Sequence, residues 1–162
     1  MWTEFEGLPD DSRIWIFTIQ GDLSETLSNL IYSELKNFIQ EWTSHQRTLN
    51  AGAKLIENRF LVIALDQSQS GASGCSIDKL MRFIQNLESI TGLGLLLKNK
   101  IGIKVQESIH LLDIQDIKRF EQEGKLNHDT QYFDTLIDNK YALDHQWVKP
   151  LKEGWLGKKL KL

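Results

Sequence analysis

The stretch FLVIAL at residues 60–65 constrains this chain more than any other. Six consecutive apolar residues cannot alternate between a dry and a wet face, so a strand built from them must be covered on both sides. The run is far below the roughly 20 residues of a membrane-spanning helix, which leaves a protein core as its place. A strand of this kind needs partners on both edges, and the remainder of the sequence has to supply them. RIWIFTI at residues 13–19 is β-branched and aromatic without helical spacing and reads as a second buried strand.

Between and after these strands the periodicity changes. Leu27, Leu30, Ile31, Leu35, Phe38, Ile39 and Trp42 recur at three- and four-residue steps and predict a helix, with Asp22 and Glu25 as a capping box. Lys54, Leu55 and Ile56 precede Glu57-Asn58-Arg59, which is either a tight hairpin turn or a bend within one long strand. Ile77, Leu80, Met81, Ile84, Leu87 and Ile90 or Thr91 predict a second amphipathic helix that Gly92 ends. Short strands are expected at 95–97, 101–105 and 109–112. Asp113 and Asp116 open a short helix carrying Ile114, Ile117 and Phe120, closed by Gly124, and Tyr132, Phe133, Leu136 and Ile137 predict one more. The order up to residue 97 is β-α-β-β-α-β, so the expected class is α+β: a ferredoxin-like two-layer sandwich extended by extra strands and two C-terminal helices. A chain of 162 residues suits a single domain, here with residues 1–11 as an N-terminal arm and 147–162 as a basic tail containing Trp147 and Trp155.

Charge narrows the partners. The net charge is −3, yet residues 149–162 hold five lysines against one glutamate, so the rest of the chain is more acidic than the total suggests. An acidic body repels phosphate backbones, and no nucleic-acid partner is expected. Residues 1–11 contain Glu4, Glu6, Asp10 and Asp11 and no basic start followed by an apolar stretch, so no secretory signal is visible. A lone cysteine excludes an internal disulfide, and the expected location is the cytoplasm.

The stretch most open to chemistry is DQSQSGASGCSIDK at residues 66–79, where small residues lead from the apolar strand into the second helix. A helix start offers unpaired N–H groups and partial positive charge, and a thiol placed there is stabilised as thiolate. On that reading Cys75 is a nucleophile, redox-sensitive thiol or ligand contact, Ser73 and Ser76 donate hydroxyls, and residues 71–76 accept a small anion. Asp66, Gly74 and Asp78 complete the candidate ligand-facing set, although Asp78 would compete with an incoming anion. The simpler reading makes Ser73, Gly74 or Ser76 an ordinary N-cap, Asp78 a first-turn acid and Cys75 a small buried hydrophobe, and it is preferred. The phosphate-loop pattern GxxxxGK[ST] is missing, since Gly74 is followed by Cys75 and the first lysine, Lys79, lies well inside the helix. GxGxxG and GxSxG are also missing, and no cofactor is expected.

RIWIF at 13–17, FLVIALD at 60–66, SGCSID at 73–78 and the tail residues Trp147, Pro150 and Trp155 together resemble a family of uncharacterised bacterial proteins of similar length, sometimes labelled "ABC transporter ATPase". The resemblance implies no established activity and transfers no catalytic residue. The label conflicts with the residues, because such an ATPase needs the phosphate-cradling loop, its lysine and a much larger domain.

Other candidates are weaker. His45, His110, His128 and His145 lack metal-ligand spacing, so no metal site is expected, and surface positions suit them better. Asp134 and Asp138 would share a helix face and, with Asp129, suit a hard cation, though a solvated face is the simpler account. The tail, with Val148, Leu151 and Leu156 beside its tryptophans, suits either a membrane or partner contact or, more simply, packing on the body. The leading expectation is a non-enzymatic cytoplasmic binding or interaction domain using the loop 66–78, with either a protein partner or a second copy of the chain as its partner. The alternatives are a thiol-dependent small enzyme or redox sensor built on Cys75 with His110, and an accessory protein docking to a membrane-associated complex through its tail.

Overall fold

A computed structural model describes the chain from Met1 to Leu162. The fold is α+β, and the single domain expected from the sequence is organised as two compact units. The first comprises Met1–Leu96 together with Asp138–Tyr141, and the second comprises Leu97–Ile137 with Ala142–Leu162.

In the first unit β1 (Arg13–Thr18), α1 (Glu25–Glu41), a small hairpin of β2 (Thr43–Ser44) and β3 (Arg47–Thr48), β4 (Ala51–Ile56), β5 (Phe60–Leu65) and α2 (Gly74–Thr91) follow in order. The main sheet is antiparallel with strand order β1-β5-β4, so the all-apolar strand is central. All six residues of β5 are fully buried. Leu61, Ile63 and Leu65 meet Ile31, Leu35, Ile39 and Trp42 from α1 and Leu80, Ile84 and Leu87 from α2. Glu57 and Asn58 both take positive φ (55° and 53°) and Arg59 N–H donates to Ile56 O at 3.0 Å, so the three residues 57–59 make the β4–β5 connection a tight hairpin. His45 and Gln46 turn the β2–β3 hairpin in the same way.

Three expectations need correction here. The fourth strand at 95–97 does not form, because these residues make a turn after Gly92, the left-handed C-cap of α2 (φ 63°). The place beside β1 is shared instead by two remote segments: Ile14 N–H donates to Asp138 O at 2.9 Å, and Gln20 N–H donates to Leu93 O at 2.8 Å. At the other edge, β4 is bordered by the N-terminal segment, with Thr3 N–H to Ala51 O at 2.8 Å and Ala51 N–H to Met1 O at 3.1 Å. Phe5 and Leu8 are buried, so residues 1–11 are part of the unit rather than a free arm. The cap of α1 is Ser24, whose Oγ accepts from Leu27 N–H at 3.1 Å, not Asp22. Serine at that position already satisfies the orphan donor.

The second unit contains β6 (Ile101–Val105), β7 (Ser108–Leu112), α3 (Ile114–Gln122), β8 (Gln131–Phe133), β9 (Val148–Pro150) and α5 (Gly154–Leu160), with α4 (Lys140–Gln146) bridging the chain boundary between the units. Its sheet is antiparallel in the order β7-β6-β8-β9. The helix expected from Tyr132, Phe133, Leu136 and Ile137 is absent: Tyr132 and Phe133 lie in β8, Tyr132 opposite Ile103, while Leu136 is 68% exposed and contributes to no apolar stripe. Residues of the basic tail pack within this unit. Leu151 and Leu156 are fully buried with Ile103, Ile117, Leu126 and Tyr132, and Trp155 meets Tyr132 edge-to-face at 6.4 Å. Buried Asp134 accepts from Lys149 Nζ at 2.6 Å and Leu136 N–H at 3.0 Å, which neutralises it inside the unit.

Two measurements check this architecture. A Cβ on Gly52 would overlap the Thr3 carbonyl oxygen, so Gly52→Ala should cost about 1–3 kcal/mol in chemical denaturation by prising the N-terminal segment off β4. Burial, reinforced by the charge of Asp134, pushes the Tyr132 phenol up from its ordinary value near 10 to about 12. The folded chain therefore holds that proton more tightly than the unfolded one, so stability is unaffected below pH 10 and falls between about 10 and 12. Tyr132→Phe should flatten that alkaline loss, while costing about 1 kcal/mol at neutral pH through loss of the bond from Tyr132 Oη to Glu153 O.

Candidate functional site

The start of α2 is held in place by a tryptophan. Trp42 follows α1, is buried, and donates from Nε1 to Ser76 O at 2.9 Å. Its ring sits in an aromatic series that runs from the sheet outward: Trp15 meets it edge-to-face at 6.0 Å, Phe38 tilts against it at 5.3 Å, and Phe38 stacks on Phe83 at 4.4 Å with planes 12° apart. The first turn of α2 is thus fixed to α1 by one buried hydrogen bond and one aromatic column.

Within that turn the serines are occupied. Ser73 is the N-cap, its Oγ accepting from Ser76 N–H at 3.2 Å. Ser76 is fully buried, and its Oγ donates to Ser73 O at 2.8 Å and lies 3.2 Å from Ser73 Oγ. Asp66 turns the loop locally, accepting from Ser68 N–H at 2.8 Å through Oδ1. The hydroxyl donors expected for a ligand are spent on the cap, and Asp66 on its turn.

Cys75 and Asp78 remain available. Cys75 is exposed, which overturns the expectation of a small buried hydrophobe, and Gly74 and Asp78 are exposed beside it. Cys75, Lys79, Arg82 and Asn86 follow one another at steps of four, three and four, so they form one exposed stripe along α2. That stripe borders a groove of about 370 Å³ between the two helices, lined by Phe38 and Glu41 from α1 and Lys79, Arg82, Phe83 and Asn86 from α2. Its middle is the Phe38–Phe83 stack and its walls carry opposite charges. Glu41 and Arg82 form no ion pair.

The groove was not part of the sequence expectation. One signal for it existed: Phe83 lies outside the apolar series Ile77, Leu80, Met81, Ile84 and Leu87, and an aromatic residue off the core stripe of an amphipathic helix marks a second contact surface. Trp42 was legible only as core, because its bond to Ser76 joins residues 34 apart in sequence.

The remaining candidates do not assemble. All four histidines are exposed, His45 in a hairpin turn and His128 beside Glu121 at 3.4 Å. His110 is in β7 of the second unit, whereas Cys75 belongs to the first. Asp134 and Asp138 do not share a helix face, since no helix forms there; Asp134 is paired with Lys149 and Asp129 with Lys152 at 2.6 Å. No group of three or more His, Cys, Asp or Glu side chains converges to hold a metal ion. Trp147 is buried against Phe133 at 4.9 Å, and no helix is long and apolar enough to cross a membrane.

No family model matches the sequence, and no solved structure matches it. Among curated proteins the chain is similar to DNA polymerase IV of Neisseria meningitidis, from a serogroup A and a serogroup C strain, each 29% identical over 137 residues. The match covers 82% of this chain and 38% of those polymerases, so the chain spans well under half of the relatives it matches.

Replacing Trp42 tests whether it positions the site. Trp42→Phe keeps an aromatic ring and removes the indole N–H that reaches the Ser76 carbonyl, which keeps only its bond within α2, a loss of about 0.5–1.5 kcal/mol. The expected result is a lower melting temperature with faster amide exchange at the start of α2 and unchanged exchange in α3. A uniform change across both helices would remove the positioning role.

Proposed function

We propose that this chain is a non-enzymatic, cytoplasmic interaction domain whose partner-facing surface joins the loop 66–78 to the groove between α1 and α2. The observation that carries the reading is the groove itself: a stacked Phe38–Phe83 centre, unpaired Glu41 and Arg82 on its walls, and exposed Cys75 in line with it. An aromatic centre within a charged rim is the composition of protein-binding surfaces. A protein partner also suits the charge, because the first unit carries thirteen acidic and eight basic side chains and is a poor surface for nucleic acid. Because the chain spans only 38% of those polymerases, polymerisation is not carried over from the DNA polymerase IV likeness. The kinship with the small bacterial family labelled "ABC transporter ATPase" is part of this proposal and adds no activity to it.

A second reading, a thiol-dependent enzyme or redox sensor, is favoured by one observation, the exposure of Cys75. A small anion at 71–76 would belong to that reading. Both readings are separated by chemistry at the sole thiol. Cys75 is coupled to a photo-crosslinker, and adducts are collected from lysate of the producing cell and identified by mass. The interaction reading expects a discrete protein adduct whose yield falls severalfold with Phe83→Ala. An adduct pattern indifferent to that substitution would sink it. Slowing of Cys75 alkylation by inorganic phosphate would instead support the anion-binding thiol.

A further inference from the structure

The two walls of the α1–α2 groove differ in sign. Glu41 lies on the α1 wall, and Lys79 and Arg82 lie on the α2 wall, with the stacked Phe38 and Phe83 between them. The helices run antiparallel at this point: the end of α1 meets the start of α2 through Trp42 and Ser76, whereas Phe38, one turn earlier, meets Phe83, two turns later. Glu41 is therefore level with Lys79 and near Arg82, yet it is paired with neither, and Lys79 makes only a long bond of 3.4 Å to Thr43 Oγ1. Charges of both signs stand unspent on either side of one apolar strip.

Such a surface complements itself. Rotation by a half-turn about an axis lying along the groove lays the α1 wall of one copy on the α2 wall of another, acid against base, and apolar strip on apolar strip. Resting on the interaction-domain reading above, we propose that the occupant of the groove is a second copy of this chain, in a two-fold dimer where Glu41 of each copy faces Lys79 and Arg82 of the other. A partner of single sign would satisfy one wall and oppose the other, whereas a second copy satisfies both. The edges of the first unit's sheet are unsuited to this role, since the N-terminal segment borders β4 and Leu93 and Asp138 occupy both ends of the β1 edge. The helix face is what the first unit leaves open for its own copy. Cys75, on the same stripe as Lys79 and Arg82, then lies at the end of the interface and reports on it.

Sedimentation equilibrium of the full chain over a wide concentration range, in physiological salt, tests the proposal. The wild type should associate reversibly as monomer and dimer. Arg82→Glu should weaken dimerisation at least tenfold, Glu41→Arg should do likewise, and the two combined in one chain should restore it, because a two-fold axis makes the swapped walls complementary again. At concentrations low enough that the wild type is monomeric, melting temperatures of all three variants should match it, since both side chains are exposed and unpaired. A wild type that stays monomeric, an association untouched by either charge reversal, or a double variant that fails to recover would each overturn the dimer. The crosslinking experiment keeps the two proposals apart: an adduct of Cys75 with a different protein, together with a monomeric wild type, refutes the dimer and leaves the interaction domain standing. No adduct at all, with a monomer, removes both.

Discussion

Everything in the first unit is arranged around the burial of β5. A strand with no polar side chain can be stable only if water is excluded from both its faces, and its backbone only if both its edges are paired. β1 and β4 provide the edges, and α1 and α2 cover one face with Ile31, Leu35, Ile39, Leu80, Ile84 and Leu87. Phe60, Val62 and Ala64, which point the other way, are also fully buried. The sheet is therefore covered more completely than a two-layer sandwich with one wet face would be. Once both helices are pinned on that strand, the line where they meet on the outside is fixed as well, and this line is the groove.

The legible parts of the sequence were those where one periodicity had no competitor. β1, β5, α1, α2 and α3 followed from apolar spacing and were capped much as turn chemistry requires, with Ser73 and Asp113 at the starts of α2 and α3 and Gly92 at the end of α2. Short elements were not legible. Residues 131–133 make a strand because Tyr132 pairs with Ile103 across the sheet, a long-range condition that a pattern of four apolar residues cannot express. Leucines at 95–97 look like a strand, yet the left-handed Gly92 redirects the chain so that Leu93 and Leu95 serve the core from a turn. Gly154 and Gly157 weaken a helix in isolation, whereas α5 forms there through burial of Leu156.

The candidate site shows the same division. The loop was found from composition, and the capping role of Ser73 from the residue type. What gives the place its shape came from residues assigned only to packing or left out altogether. Trp42 ties α1 to α2, and Phe83 completes an aromatic column that Phe38 begins. The contact between residues 38 and 83 has no local signature, since the chain passes through the four strands β2 to β5 in between. Sequence reading locates a thiol at a helix start; only the tertiary structure says that the thiol lies in line with an apolar groove.

The sharing of the β1 edge between Leu93 and Asp138 has a consequence for how the chain is made. β1 ends at residue 18, but one of the two carbonyls that meet its outer edge is not synthesised until 120 residues later. Until then the nascent first unit carries a half-open strand edge while residues 97–137 are still emerging, and closure waits on contacts of high sequence separation. The boundary at residue 96 is thus a boundary of compactness and not of independence. A fragment cut there would keep its core and lose its hem, and a sheet with a bare edge is the form in which such a fragment would find other strands to pair with.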